Sequence, residues 1–449
     1  MDKLITDRLW EDNEEQFLQL LRIPSVFDPD TVSEEAPYGK YSKEALMYMK
    51  DMLEQNGFSV TEYGNQVICA EVGEGKDEER IDLISHLDVV APGEGWTYPP
   101  FDAMKTDGKI YGRGTQDMKS GAWLTYLALR YLRDNGLLGN RKVRLVYGSD
   151  EEITMNDMKI YADAAGMPAF AFTPDGQFPM AIGEKGIILY VMTGRYSGIV
   201  KELRGGIQTN VISPEAVALL DSCDIEKVQD YLDNSDIDGK AELTEQGIKL
   251  TVYGISAHAS KPELGRNATV DLLKIVSDIY DDPFIRRHYD FFRDPYGKGA
   301  DIAYDIPPMG KLTMNLGILN ISNGDYYAEI DGRYPYGADS DDMGAKFRNA
   351  FPELNIEVPY HERPTLQDES SPYIQALKCA YENATGKPCI SFISGGVSYS
   401  KVIDNCVSFG TTPEDEEYLA HQKDEYITVD NMKMILGMYI DAIGRLSKI

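Results

Sequence analysis

Apolar side chains recur at helical spacing over residues 6–22 (Leu9, Trp10, Phe17, Leu18, Leu20, Leu21), and the run stops at Ile23-Pro24. A second helix is predicted from an N-cap at Ser42 to a stop at Gly57. Strand-like runs follow at Gln66–Glu71 and Ile81–Val90, then a long helix over Ser120–Asn135 and the strand Val143–Gly148. Strands alternating with helices predict an α/β layer with a largely parallel sheet.

The pattern changes after Lys185. Residues 186–195 and 247–255 alternate like half-exposed antiparallel strands. Helical stretches are predicted near 214–234, 267–280 and 340–350, with further strands at 311–321 and 325–333. From Pro364 the α/β style returns, with a helix at 371–385, the apolar run Cys389–Ile393 and a closing helix at 429–446. The expected organisation is one α/β domain, 1–185 and 364–449, interrupted by an inserted α+β domain, 186–363. A mixed sheet flanked by helices is the expected fold class of the first.

Composition narrows the partners. The chain has 449 residues, 43% hydrophobic and 26% charged, a globular balance that suggests more than one compact unit. With 74 acidic against 44 basic side chains the formal charge is −30, a field that argues against nucleic acid and anionic membrane surfaces. The acidic start MDKLITDRLWEDNEEQ does not read as a signal peptide. No window approaches the roughly 18 apolar residues of a membrane span. Cys69, Cys223, Cys379, Cys389 and Cys406 are scattered and form no CxxC pair, so a reducing cytoplasm is expected.

Candidate chemistry sits where apolar runs end. His86 and Asp88 close the run from Ile81; two residues apart on a strand, they share a face, which lets Asp88 orient the imidazole. Alone, such a pair is more often structural. Asp117 follows two glycines (Gly112, Gly114) at the start of the long helix, as either a carboxylate on helix amides or a bridge between cations. Asp150, Glu151 and Glu152 follow the strand Val143–Gly148, where an α/β sheet normally binds ligands. Asp175 follows the run Ala169–Phe172, and His421 lies near the end of the chain. Two imidazoles with several carboxylates suit zinc or manganese better than calcium.

Together these stretches resemble the M20 family of metallopeptidases, the aminoacylase/carboxypeptidase class, and within it bacterial dipeptidases of the peptidase V type. The matching segments are SHLDVVAPGEGW (85–96), YGRGTQDMKSG (111–121), GSDEE (148–152), TPDGQFP (173–179), GEKGI (183–187) and AHQKDEYI (420–427). The resemblance implies a zinc-peptidase-like catalytic domain with an inserted lid domain. It makes His86 and Asp175 terminal ligands of one zinc, Glu152 and His421 of the other, and Asp117 the bridge, with a cis bond between Asp117 and Met118. Asp88 would orient His86, and Glu151 would be the general base. From the lid, His258 in a stretch similar to the family's lid motif would stabilise the oxyanion, while Asn210 and Arg333 would anchor substrate. An ion pair with Asp331 is the alternative account of Arg333. Gly395 and Gly396 would let backbone amides approach the substrate, although the family more often continues Thr-Tyr-Ala where this chain has Val397-Ser398-Tyr399-Ser400. His288 and His361 match no motif and read as core or surface residues.

The activity this implies is hydrolysis of unblocked dipeptides by a monomer holding two Zn²⁺ or Mn²⁺ ions. Two alternatives share the same ligands or part of them: an N-acyl amino acid deacylase or desuccinylase, and a non-catalytic metal-binding protein.

Overall fold

The computed structural model describes residues 3–449. The chain divides into two compact units: residues up to Glu184 together with Leu366–Ile449, and the contiguous stretch Lys185–Thr365.

The first unit is built on a mixed nine-stranded sheet. Its central strands Val143–Gly148, Ile81–His86 and Phe170–Thr173 are neighbours and parallel, and Cys406–Ser408 continues the parallel run beside Phe170–Thr173. Val67–Val72 and Val60–Tyr63 extend the sheet antiparallel on the other side. The central strands are buried throughout, as expected for a sheet covered on both faces. One face carries the larger core, where Trp10, Phe17 and Trp123 meet as an aromatic cluster. The helices Glu14–Arg22, Lys119–Asp134, Pro372–Thr385 and Val429–Leu446 contribute to it. The other face packs on the helix Asn156–Ala165 and on Tyr399. Four parallel strands therefore end at one edge, and their C-terminal loops come together there.

The second unit is an eight-stranded antiparallel sheet. Alternate residues of its strands (Leu203, Ala218, Leu250, Ile321, Ile330, Met192) point into one core, shared with the helices Ala268–Ile279, Pro283–Phe292 and Ser340–Ala350.

Several expectations are corrected. The first helical run is two helices, Lys3–Glu11 and Glu14–Arg22, because Asn13 turns its side chain onto the carbonyl of Leu9 between them. The helix predicted from Ser42 begins at Lys40, so Ser42 is a buried interior position facing the Ser25 carbonyl. The stretch near 214–234 is a strand, Glu215–Leu220, followed by the shorter helix Ile225–Asp233. Alanine and leucine there favour a helix locally, but pairing with strands on both sides prevails. The strand from Ile81 ends at His86 rather than Val90.

Candidate active site

The loops at the edge of the first unit's sheet place His86, Asp117, Glu151, Glu152 and Asp175 together, and His421 joins them from residues 409–425. Each position has a local cause. His86 is the last residue of its strand, Glu151 and Glu152 lie on the turn after Gly148, and Asp175 follows Thr173-Pro174. Asp117 stands two residues before the helix Lys119–Asp134, and its peptide bond to Met118 is cis.

Asp117 faces both imidazoles at once. Its Oδ1 is 3.0 Å from His86 Nε2 and its Oδ2 is 3.1 Å from His421 Nε2. His421 Nε2 is also 3.1 Å from Glu152 Oε2. On the other side, His86 Nε2 lies 3.9 Å from Asp175 Oδ2 and 4.0 Å from Glu151 Oε2. Two sets of donor atoms thus converge, His86–Asp117–Glu152 and His86–Glu151–Asp175, each within 4.8 Å.

Charge and burial make this cluster unsatisfied without cations. His86 Nε2 and Glu152 Oε1 are buried and have no hydrogen-bond partner. Burial pushes the carboxyls of Glu151 and Asp175 well above the usual range, and the neighbouring carboxylates add to it. Glu152 is raised for the same reasons. Burial disfavours a charged His86, yet the Asp117 and Asp88 carboxylates outweigh it and hold its pKa well above normal. The Asp117 and Glu152 carboxylates beside His421 push its pKa up to about 11. Carboxylates crowded together in a buried place call for positive charge among them, and the donor set of imidazole nitrogens and carboxylate oxygens fits a divalent transition metal.

Asp88 orients His86 differently from the sequence expectation. The imidazole Nδ1 meets the backbone carbonyl of Asp88 at 2.9 Å, whereas the Asp88 carboxylate stands 3.6 Å off. A carbonyl only accepts, so Nδ1 carries a proton and Nε2 is the nitrogen turned to the site, the one whose lone pair a cation would take. The Asp88 carboxylate accepts instead from the Glu152 amide at 3.0 Å.

Sequence reasoning passed over the groups that hold these loops. Buried Asp157 accepts from the amides of Ser149 (2.6 Å) and Asp150 (3.0 Å) and from the Tyr399 hydroxyl (2.6 Å), fixing the turn that carries Glu151. Buried Glu425 accepts from the amides of Gln116 (2.7 Å), Asp117 (3.2 Å) and Gly114 (3.3 Å) and from Arg113 Nη1 (2.6 Å). Glu184 takes the Ser398 hydroxyl at 2.6 Å and so anchors the loop of Gly395, partly accessible, and Gly396, exposed. A carboxylate facing backbone amides leaves no spacing pattern in the chain.

The remaining candidates belong to the second unit. The segment around Asn210 pairs with that of His258: the Ala259 amide donates to the Asn210 carbonyl and the Ile212 amide to that of Ala257, each at 2.9 Å. The Ser260 amide donates to His258 Nδ1 at 3.2 Å, which leaves the ring proton on Nε2. Desolvation and the Arg333 charge lower the His258 pKa, which favours the neutral ring. Arg333 forms a two-pronged ion pair with Asp331 (2.8 and 2.7 Å), the alternative its sequence context allowed. His288 is a core residue and His361 meets the Tyr334 hydroxyl at 2.7 Å.

The sequence pattern defining Peptidase family M20/M25/M40 matches residues 83–445, a span that takes in every one of these loops. The chain belongs to this peptidase family. Membership in a metallopeptidase family implies use of a divalent metal. This M20 peptidase is 29% identical over 453 residues to the Beta-Ala-Xaa dipeptidase of Lactobacillus delbrueckii subsp. lactis, covering 96% of this chain and 95% of that one. Its fold is similar to that of human carnosine dipeptidase 1 (TM-score 0.60, 13% identity, 99% and 98% of the two chains covered). It is also similar to that of the aminoacylhistidine dipeptidase of Vibrio alginolyticus (TM-score 0.57, 13% identity, 97% and 96% covered). Among the described residues, no helix is long and apolar enough to cross a membrane.

Proposed function

We propose that this peptidase hydrolyses the peptide bond of unblocked dipeptides with two divalent cations, Zn²⁺ or Mn²⁺, as a monomer in the cytoplasm. The observation that carries the reading is Asp117 turning one oxygen to His86 and the other to His421, which is what a carboxylate shared by two cations requires. His86 and Asp175 would hold one ion, Glu152 and His421 the other. Two bound cations would lower the pKa of a water between them and polarise the scissile carbonyl.

The protein's own groups supply the rest. Glu151, partly buried beside His86, takes a proton from the attacking water and returns it to the leaving amine. By distance alone Glu151 resembles a ligand as much as Asp175 does, and its role as base is assigned from the family resemblance. His258 offers an Nε2–H, the donor that a developing oxyanion needs. Asn210 and Arg333 are assigned to substrate anchoring, Arg333 on condition that Asp331 shares its guanidinium. Gly395 and Gly396 are assigned to backbone contacts with substrate.

Dipeptides are favoured over acylated amino acids because the 29% identical relative bears the name of a dipeptidase along nearly the whole chain. The test is turnover of free dipeptides, β-alanyl ones included, beside N-acetyl and N-succinyl amino acids, in metal-loaded protein. Cleavage confined to acylated substrates overturns the dipeptidase reading, and inertness towards all of them overturns the enzyme. Glu151→Gln should lower kcat by about 10²- to 10⁴-fold while metal content stays unchanged. A variant that keeps turnover, or loses a metal, removes Glu151 from the role of base.

A further inference from the structure

His421 stands apart from the other proposed ligands. His86, Glu151, Glu152 and Asp175 follow directly from buried central strands, and Asp117 leads into a long helix. His421 lies in residues 409–425, which contain no helix or strand, and its side chain is 54% exposed. Something must hold that segment if an imidazole on it is to bind a cation at a fixed place.

The structure supplies a two-way clasp. The side-chain amide of Gln116 donates to the carbonyls of Glu417 (2.9 Å) and Tyr426 (2.8 Å) and accepts from the amide of Leu419 (2.7 Å). In the opposite direction, the carboxylate of Glu425 accepts from the amides of Gly114, Gln116 and Asp117. Each loop thus satisfies the other's backbone with one buried side chain. The clasp flanks both ligands: Gln116 precedes Asp117, and the bonded groups of 417–426 bracket His421. The Thr411 hydroxyl adds a bond to the Gln116 carbonyl at 2.7 Å, and Asp424 accepts from the Thr97 amide at 2.6 Å.

Resting on the two-cation reading above, we infer that Gln116 and Glu425 are positioning residues that hold Asp117 and His421 in register, and that they set the affinity of the cation held by Asp117, Glu152 and His421. Neither side chain needs to touch metal or substrate for this. The inference distinguishes the two cation sites, because His86 and Asp175 sit on strand ends outside the clasp and share with it only Asp117. Outer partners of metal ligands commonly change metal affinity by about 10- to 100-fold.

The experiment is a Zn²⁺ titration of metal-free full-length protein by calorimetry, repeated with Co²⁺ so that each site is followed by its absorption. Wild type, Gln116→Leu and Glu425→Gln are compared, with circular dichroism and thermal melting alongside. The expected result is one cation bound as in wild type and one weakened at least tenfold, with turnover restored by excess Zn²⁺. Two cations bound at wild-type affinity in folded Gln116→Leu overturn the inference, and so does equal weakening of both. If Gln116→Leu does not fold, Gln116→Asn keeps the amide but shortens its reach, and the same selective weakening decides. Wild type that binds fewer than two cations sinks the two-cation reading itself, an outcome separate from a failure of the clasp.

Discussion

His288 shows what burial does to a titratable side chain in the second unit. Its ring lies 4.3 Å from that of Phe284 and 4.4 Å from that of Phe351. The carbonyl of Phe284 takes its Nδ1–H at 2.8 Å, so Nε2 accepts from the Tyr326 hydroxyl at 2.9 Å. Burial in this setting drives its pKa down to about 3. In the unfolded chain a histidine titrates near pH 6.5, so between about 6.5 and 3 the unfolded chain binds a proton that the fold refuses. Stability from this group is full above about pH 6.5 and falls as the pH drops, by on the order of 2 kcal/mol at pH 5. His288→Gln should therefore narrow the gap between urea midpoints measured at pH 7 and pH 5. An unchanged gap would assign the acid sensitivity to other groups. At this scale the sequence was most informative where a side chain's neighbours are local. His86, the acids Asp150–Glu152 and Asp175 stood out as candidates because apolar runs end at or just before them, and the family resemblance divided the roles among them. Gln116, Asp157 and Glu425 did not stand out, since what they bind are backbone amides and carbonyls, in two cases some 300 residues away.

Helices and strands with a strong apolar pattern were readable to within a residue or two, as for Lys119–Asp134, Val143–Gly148 and Val429–Leu446. Where the pattern was weak, pairing partners decided, and Glu215–Leu220 became a strand between two others. The strand Val143–Gly148 carries a sharper constraint at its end. A Cβ on Gly148 would collide with the Tyr399 hydroxyl and the Asp157 carboxylate, the pair that fixes the turn bearing Glu151 and Glu152. Gly148→Ala should cost about 1–3 kcal/mol of stability by overpacking. It should also lower turnover beyond what that loss explains, because the turn shifts. Urea unfolding and kcat on the same preparation check both, and a stable variant with normal kcat would show that Tyr399 can yield without moving the turn.

For the whole molecule, bound cations and folding are linked, since a ligand that binds only the native state stabilises it by mass action. The proposed ligands all belong to the unit formed by residues up to Glu184 and Leu366–Ile449. Chelation should accordingly speed amide exchange around residues 86–88, 114–118, 149–152 and 417–425, while the core of Lys185–Thr365, around Leu250 and Ile330, keeps its protection. Hydrogen exchange read by mass spectrometry, with and without Zn²⁺, makes the comparison. Uniform loss of protection in both units would mean that they unfold as one.

The pairing of Ile187 with Glu362, on the strands that begin and close the second unit, has a consequence for the polymer as a whole. Just across the boundary, Gln367 donates to the carbonyl of Ile182 at 2.8 Å. Outgoing and returning strands therefore travel as a zipped pair, so the roughly 180 residues beyond behave, for their host, like the tip of a hairpin. Closing a loop grows dearer only logarithmically with its length, and a gap already bridged by backbone pairing is indifferent to what hangs from it. A cassette of that kind can lengthen, shrink or be exchanged for another without asking the host fold to rearrange.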